Sequence, residues 1–164
     1  MPRYDVTDEA TIAASPAAVW RALDDLYMSV ADWWEPYLRM RPRGEVPQGL
    51  VGAEVDIAAN SRGDLASRLT SHFTGRVREA VENRRLVVDY VAGAFRGTGE
   101  WTLEPTESGG THLAMRWRVN PHGLTLWVVS WFMDIGASHS EVMQRGFEQL
   151  DSYLRAQRIE GPAS

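Results

Sequence analysis

The chain contains no cysteine. Disulfides, thiolate metal centres and cysteine nucleophiles are therefore excluded, and the redox compartment does not follow from composition. Positive charge is also short: 17 basic residues stand against 22 acidic ones, a net charge of −5, with the arginines interspersed among Asp and Glu. A nucleic-acid surface needs the opposite balance, so no nucleic-acid partner is expected. Long hydrophobic runs are missing as well. The longest, LTLWVVSWFM from Leu124 to Met133, is interrupted by a Thr and a Ser and is too short to span a bilayer. The opening MPRYDVTDEA lacks the apolar core of a signal peptide, so the expectation is a soluble cytoplasmic protein with no integral membrane segment.

Motifs for several chemistries are absent too. His72, His112, His122 and His139 show no paired spacing and no H-E-x-x-H occurs, so neither a metal nor a cofactor is expected. RGTGEW continues a strand pattern instead of opening a helix, which argues against a phosphate loop, and no nucleophile elbow surrounds any serine.

What is present is a chain of 164 residues, the size of one domain spanning 1–164 with a sizeable core. Seven tryptophans are many for this length. Rings of that size are costly to expose, so they imply either a large core or a hollow lined by aromatics.

YDVTDEATI alternates like a half-buried strand and runs into AASPAAVWRALDDL, where Ser15 caps a helix begun by Pro16. YMSVADWWEPY reads as a second short helix ended at Glu35-Pro36. LRMRPRGEV and GAEVDIAA read as short strands, and ANSRGDLAS as a polar loop. From Arg68 a meander of four strands follows. Its inward positions are Leu69, Ser71, Phe73, Gly75 and Val77, then Leu86, Val88 and Tyr90, then Phe95, Gly97, Gly99, Trp101 and Leu103, then Leu113, Met115, Trp117 and Val119. Arg76, Arg78, Asp89, Arg96, Glu100, Arg116 and Arg118 take the opposite, solvated parity. After Asn120-Pro121 the period becomes helical to about Gln157, with Trp127, Trp131, Ile135, Val142, Leu150 and Leu154 on one stripe and a bend expected at Gly136. The tail RIEGPAS is expected to fray.

This order of elements, with SPAAVWRALDDL after the first strand, GRVREAVENRRLVVDY in mid-chain, GTGEWTLEPTESGGTHLAMRWRV in the last hairpin and SHSEVMQRGFEQLDSYL in the long helix, resembles the SRPBCC superfamily. That superfamily holds START lipid-transfer domains, pollen-allergen-like proteins and aromatic polyketide cyclases, and the sequence is most similar to its bacterial polyketide cyclase/dehydrase and lipid transport branch. The resemblance implies an α+β helix-grip fold: two short helices after the first strand, and a curved antiparallel sheet of about seven strands wrapped around a long C-terminal helix. It also implies an apolar cavity between sheet and helix. The arginine-centred catalytic set of the best-studied aromatic cyclases is not placed on residues of this sequence, so their activity is not carried over.

Candidate residues follow from inward parity and side-chain chemistry. His139, a helix-borne imidazole beside the apolar stripe, is a candidate general base or ligand donor, against the plainer reading of a partnered core histidine. Tyr90 and Ser71 are hydroxyls on apolar strand faces, able to polarise a carbonyl or simply to satisfy a neighbour. Trp33, Trp34, Phe73, Trp101, Trp117, Trp131, Ile135 and Val142 are candidate wall residues. Gly97 and Gly99 remove side chains from an inward face, a mark of close backbone approach, a bulge or room for a ligand. Asp134 stands five residues from His139, which turns the two side chains apart and excludes a pair within the helix. Arg68 and His72 have outward parity. The expected partner is a small hydrophobic, aromatic or polyketide-like molecule, either cyclised or dehydrated there or merely carried or sensed. A chaperone-activator type of interaction domain is the rival, and it predicts a filled core with an exposed apolar patch.

Overall fold

A computed structural model describes residues 1–160. The order of elements is β1 (Tyr4–Ile12), α1 (Pro16–Tyr27), β2 (Leu38–Pro42), β3 (Glu54–Ala59), β4 (Ser71–Val81), β5 (Arg85–Gly93), β6 (Phe95–Pro105), β7 (Thr111–Pro121), α2 (Leu124–Val129) and α3 (Ile135–Glu160). The strands form one antiparallel sheet in the order β1-β7-β6-β5-β4-β3-β2, so the first strand closes against the last. This is the helix-grip arrangement, with α3 lying in the concave face. Of the tail, Arg158 to Glu160 form the last turn of α3, and residues 161–164 lie outside the described residues.

The α1 start is as its residues dictate. The Ser15 side chain accepts a hydrogen bond from the Ala18 amide at 3.3 Å, and Pro16 stands where no amide donor is needed. The helix buries Val19, Ala22, Leu23, Leu26 and Tyr27 against the sheet.

Curvature enters through β4. Its pairing with β5 slips between Thr74 and Gly75 and again between Val77 and Glu79, and such bulges bend a strand and increase its twist. The convex face is laced with ion pairs. The chain carries no lysine, so every cation here is a guanidinium: Arg76 meets Glu54, Arg78 meets Asp89, Arg85 meets Glu79 and Glu100, and Arg116 meets Asp5. Exposed pairs of this kind contribute little stability each, about 0–1 kcal/mol, but they match neighbouring strands across the sheet. The concave face carries the core, with Leu86, Leu113, Trp101 and Val77 in one buried cluster with Leu150, Val142 and Phe147 of α3.

Three expectations are corrected. No second helix follows α1: residues 28–37 form successive turns, because two indoles pull the segment to different anchors. Trp33 Nε1 donates to Ala22 O at 2.8 Å, and Trp34 Nε1 donates to Val142 O on α3 at 3.0 Å. The C-terminal helix is not continuous from Leu124. It stops at Val129, where the Ser130 hydroxyl turns back to Trp127 O at 2.6 Å, and restarts at Ile135 behind a cap in which Asp134 Oδ1 accepts from the Ala137 amide at 2.9 Å. The break precedes Gly136. Leu69, expected inward, lies in the loop before β4 and is 66% exposed.

Candidate functional site

A cavity of about 660 Å³ lies between the concave face of the sheet and α3. The β5–β6 hairpin at Gly93-Ala94-Phe95 marks its mouth. From there β6 runs inward through Phe95, Gly97, Gly99 and Trp101, whose cross-strand partners on β7 are Pro121, Val119, Trp117 and Met115. One wall is an aromatic chain: Phe73 meets Tyr90 and Phe95 edge to face at 5.3 and 5.2 Å, and Phe95 meets Trp117 at 5.0 Å. Edge-to-face contact of this kind adds modestly to simple burial and fixes ring orientation.

His139 lies flat on Trp117, with ring centroids 4.0 Å apart and planes within 9°. Behind it, Asp8 Oδ2 of β1 stands 3.4 Å from Nδ1. Asp8 is 6% exposed, and neither Oδ2 nor Nδ1 finds a hydrogen-bond partner among the described residues, so the two atoms face each other in an apolar setting. Burial opposes the Asp8 charge, but the nearby donor groups of His139, Ser140 and Gln144 outweigh it and hold the carboxyl below its ordinary value. Burial pushes His139 down more than Asp8 raises it. Near neutrality the pair is therefore carboxylate and neutral imidazole. A carboxylate opposite Nδ1 favours the proton there and leaves the lone pair on Nε2.

Asp8 was missed from sequence, although a signal exists. It shares the parity of Tyr4, Val6, Ala10 and Ile12, and is the one charged residue on the inward side of β1. Asp134 is not its rival: that side chain is used as the cap of α3.

The other sequence candidates divide. Tyr90, Phe73, Trp34, Trp101 and Trp117 stand on the cavity wall, as do Ile135 and Val142 of α3, while Ser71 lies half-buried at the mouth. Trp33 does not line it; it is stacked beneath Trp34 at 5.5 Å with its N–H bonded to α1. Trp131 is 64% exposed, because the break at Ser130–Asp134 interrupts the 3.6-residue period and turns the indole outward, where Arg3 lies over it at 5.0 Å. Neither glycine opens space for a ligand. A Cβ at Gly97 would collide with the β7 backbone at Arg118, and one at Gly99 would occupy the position of the Tyr90 hydroxyl. Gly146 serves the same purpose on α3, leaving room for the Trp34 indole. Arg68, expected outward on a strand, borders the mouth, since β4 begins only at Ser71 and the preceding residues fold back as a loop, while His72 is exposed on β4 beside the mouth, as its outward parity implies. That loop is tied at its ends: Asn60 Nδ2 donates to Thr70 Oγ1 at 3.2 Å, and Thr70 Oγ1 donates to Asp64 O at 3.0 Å.

The other side of the mouth is α2. Leu126 and Val129 line the cavity, whereas Trp127, Trp131 and Phe132 face outward, Phe132 at 87% exposure. Among the described residues no helix is long and apolar enough to cross a membrane.

The sequence pattern of the family described as polyketide cyclase / dehydrase and lipid transport matches residues 3–155. The chain belongs to this family. Solved structures place the family's fold on it throughout. The Zhui aromatase/cyclase from Streptomyces sp. R1128 is similar with a TM-score of 0.70 at 15% identity, covering 97% of this chain and 99% of that one. A START superfamily protein from Mycobacterium smegmatis is similar with a TM-score of 0.69 at 13% identity, covering 93% and 97%. Ara h 8.0201 is similar with a TM-score of 0.58 at 16% identity, covering 94% and 99%. At these identities the likeness is one of fold, a START-like helix grip, and the family membership comes from the sequence match. No curated protein sequence matches the chain.

Proposed function

We propose that the chain binds a small hydrophobic molecule, aromatic or polyketide-like, in the cavity between sheet and α3. The observation that carries this reading is the cavity itself. Its volume, about 660 Å³, is in the range of small-molecule sites, and its inner wall is aromatic and aliphatic with a few convergent polar groups. A chaperone-activator type of domain would have that volume filled by side chains, although the exposed patch at Trp131 and Phe132 is the feature such a domain would show.

A second reading, chemistry on the bound molecule, is favoured by the Asp8–His139 pair. A neutral imidazole held by a buried carboxylate is poised to take a proton at Nε2 from the carbon beside a carbonyl. The resulting enolate carbon would form a bond to a second carbonyl of the same chain. That carbonyl oxygen would take the proton back from His139, and loss of water would complete a cyclisation and dehydration. Confinement by the aromatic wall supplies the folding of the substrate.

Tryptophan fluorescence tests the binding reading, because Trp34, Trp101 and Trp117 stand on the wall. Titration with hydroxynaphthalenes, hydroxyanthraquinones and long-chain fatty acids is expected to give saturable quenching by at least one class, lost when Val142→Trp fills the space. Quenching that is absent for every probe, or unchanged in Val142→Trp, overturns it. For the catalytic reading, a soluble poly-β-carbonyl substrate should cyclise faster with the protein than in buffer, with kcat lowered in His139→Gln and Asp8→Asn. Equal rates leave a carrier or sensor.

A further inference from the structure

The inner end of the cavity has polar groups of one kind. Tyr27 of α1, Tyr90 of β5, Trp101 of β6 and Trp117 of β7 meet there, each no more than 7% exposed. The Trp101 indole lies beside the Tyr27 hydroxyl and the Trp117 indole beside the Tyr90 hydroxyl, and Tyr27 is close enough to oppose the ionisation of Tyr90. Trp101 Nε1 nevertheless lacks a hydrogen bond of good geometry. Tyr90 reaches its place only because residue 99 is glycine, whose missing Cβ leaves the space its hydroxyl occupies.

Counting donors and acceptors gives a surplus. An indole only donates, and each phenol carries one proton, so four N–H and O–H protons share two oxygens, those of the tyrosines themselves. If the indoles serve both oxygens and one phenol donates to the other, one O–H proton still has no acceptor. No charged side chain lines this end to receive it, since the charged wall residues Arg62, Asp64 and Arg68 belong to the mouth loop, and His139 lies flat on the Trp117 ring, so its in-plane Nε2 lone pair is not directed at that indole. The backbone carbonyls of the flanking strands face their ladder partners. A buried donor without a partner is costly, so the arrangement favours an acceptor brought in from outside. Burial also keeps both phenols protonated, pushing Tyr27 up to about 12 and Tyr90 further in the same direction. With no cation beside them, an entering carboxylate would be buried unpaired, whereas a neutral oxygen is not penalised in that way.

We propose that the inner end of the cavity is a subsite for a neutral carbonyl oxygen of the bound molecule, held by the hydroxyls of Tyr27 and Tyr90 with the Trp101 and Trp117 indoles behind them. This rests on the reading of the cavity as a hydrophobic-ligand site, and it adds an orientation. The carbonyl end enters first, and the apolar remainder lies along Phe73 and Phe95 toward the mouth.

Fluorene and 9-fluorenone, which differ by a methylene against a carbonyl, are the probes. The wild-type protein is expected to bind the ketone about tenfold more tightly than the hydrocarbon, and the bound ketone's C=O stretch to move to lower frequency. Tyr27→Phe and Tyr90→Phe should each bring the ratio toward one and reduce that shift. Gly99→Ala, which displaces the Tyr90 hydroxyl without removing it, should do the same. Equal affinity for the two probes in the wild type, or a ketone preference that survives in both tyrosine variants, overturns the subsite and leaves the cavity reading standing. Binding of neither probe overturns both.

Discussion

The two ends of the cavity are built from the same kinds of residue and treat them in opposite ways. At the inner end Trp34, Trp101 and Trp117 are at most 2% exposed, Trp34 meeting Trp101 edge to face and Trp117 held between Phe95 of β6 and His139 of α3. At the mouth Trp131 is 64% and Phe132 87% exposed, in a stretch of six apolar residues left open to solvent. The difference is one of constraint. The inner rings stand on paired strands or are anchored to α3, where register and alternation leave each side chain one direction. The outer rings follow a helix that ends after Val129, so no second surface exists to receive them. Aromatic content alone therefore says little about a cavity; what counts is whether the backbone beneath each ring is tied on both sides.

That contrast can be broken by overfilling the inner end. Gly146→Val places a side chain where the Trp34 indole lies and is expected to destabilise the fold by about 3 kcal/mol in urea unfolding. Phe132→Ala at the mouth should change stability by less than about 0.5 kcal/mol in the same experiment. Comparable losses at the two sites would show that the mouth is as tightly packed as the interior.

The Asp8–His139 pair sharpens the contrast through pH. The folded imidazole is shifted down from its unfolded value near 6.5, so the unfolded state takes the proton first as pH falls. Stability is expected to decline from about pH 6.5 downward through the lower folded value. Asp8, also held below its ordinary value, adds a second loss as its carboxylate is protonated at more acid pH. His139→Gln should flatten the first decline, read as the urea midpoint between pH 7 and 5. An unchanged slope would mean that the histidine titrates as it does in the unfolded chain.

A small effect is expected at the exposed cap of α3. Asp134→Ala removes the acceptor for the Ala137 amide and should cost about 1 kcal/mol, seen as a modest drop in melting temperature with the sheet intact. No change would place the helix start elsewhere.

Legibility followed the same division. Strand alternation identified Phe73, Tyr90, Trp101 and Trp117 as inward because parity holds locally around each of them, even though the β4–β5 register slips twice. Asp8 was legible by the same rule. Trp33, Trp131 and the second helix were not, because each depends on where a distant carbonyl, a helix cap or a chain break falls. Gly97 and Gly99 were readable as missing side chains. Whether the space was left for a ligand, a backbone or a neighbouring ring depended on neighbours from other strands.

By itself the sequence determined the family, through motifs that resemble it, and the order of strands, the solvated and buried faces of the sheet and the helix at Ser15-Pro16, which rest on local periodicity and on caps within a few residues. Tertiary structure alone decided that Asp8 meets His139 across 131 positions of chain, that Trp34 reaches α3 through Gly146, and that Tyr27 and Tyr90 share one end of a hollow interior. Those contacts join elements far apart in the chain. Only the closing of β1 on β7 and the seating of α3 in the sheet bring their atoms within hydrogen-bond or ring-contact range.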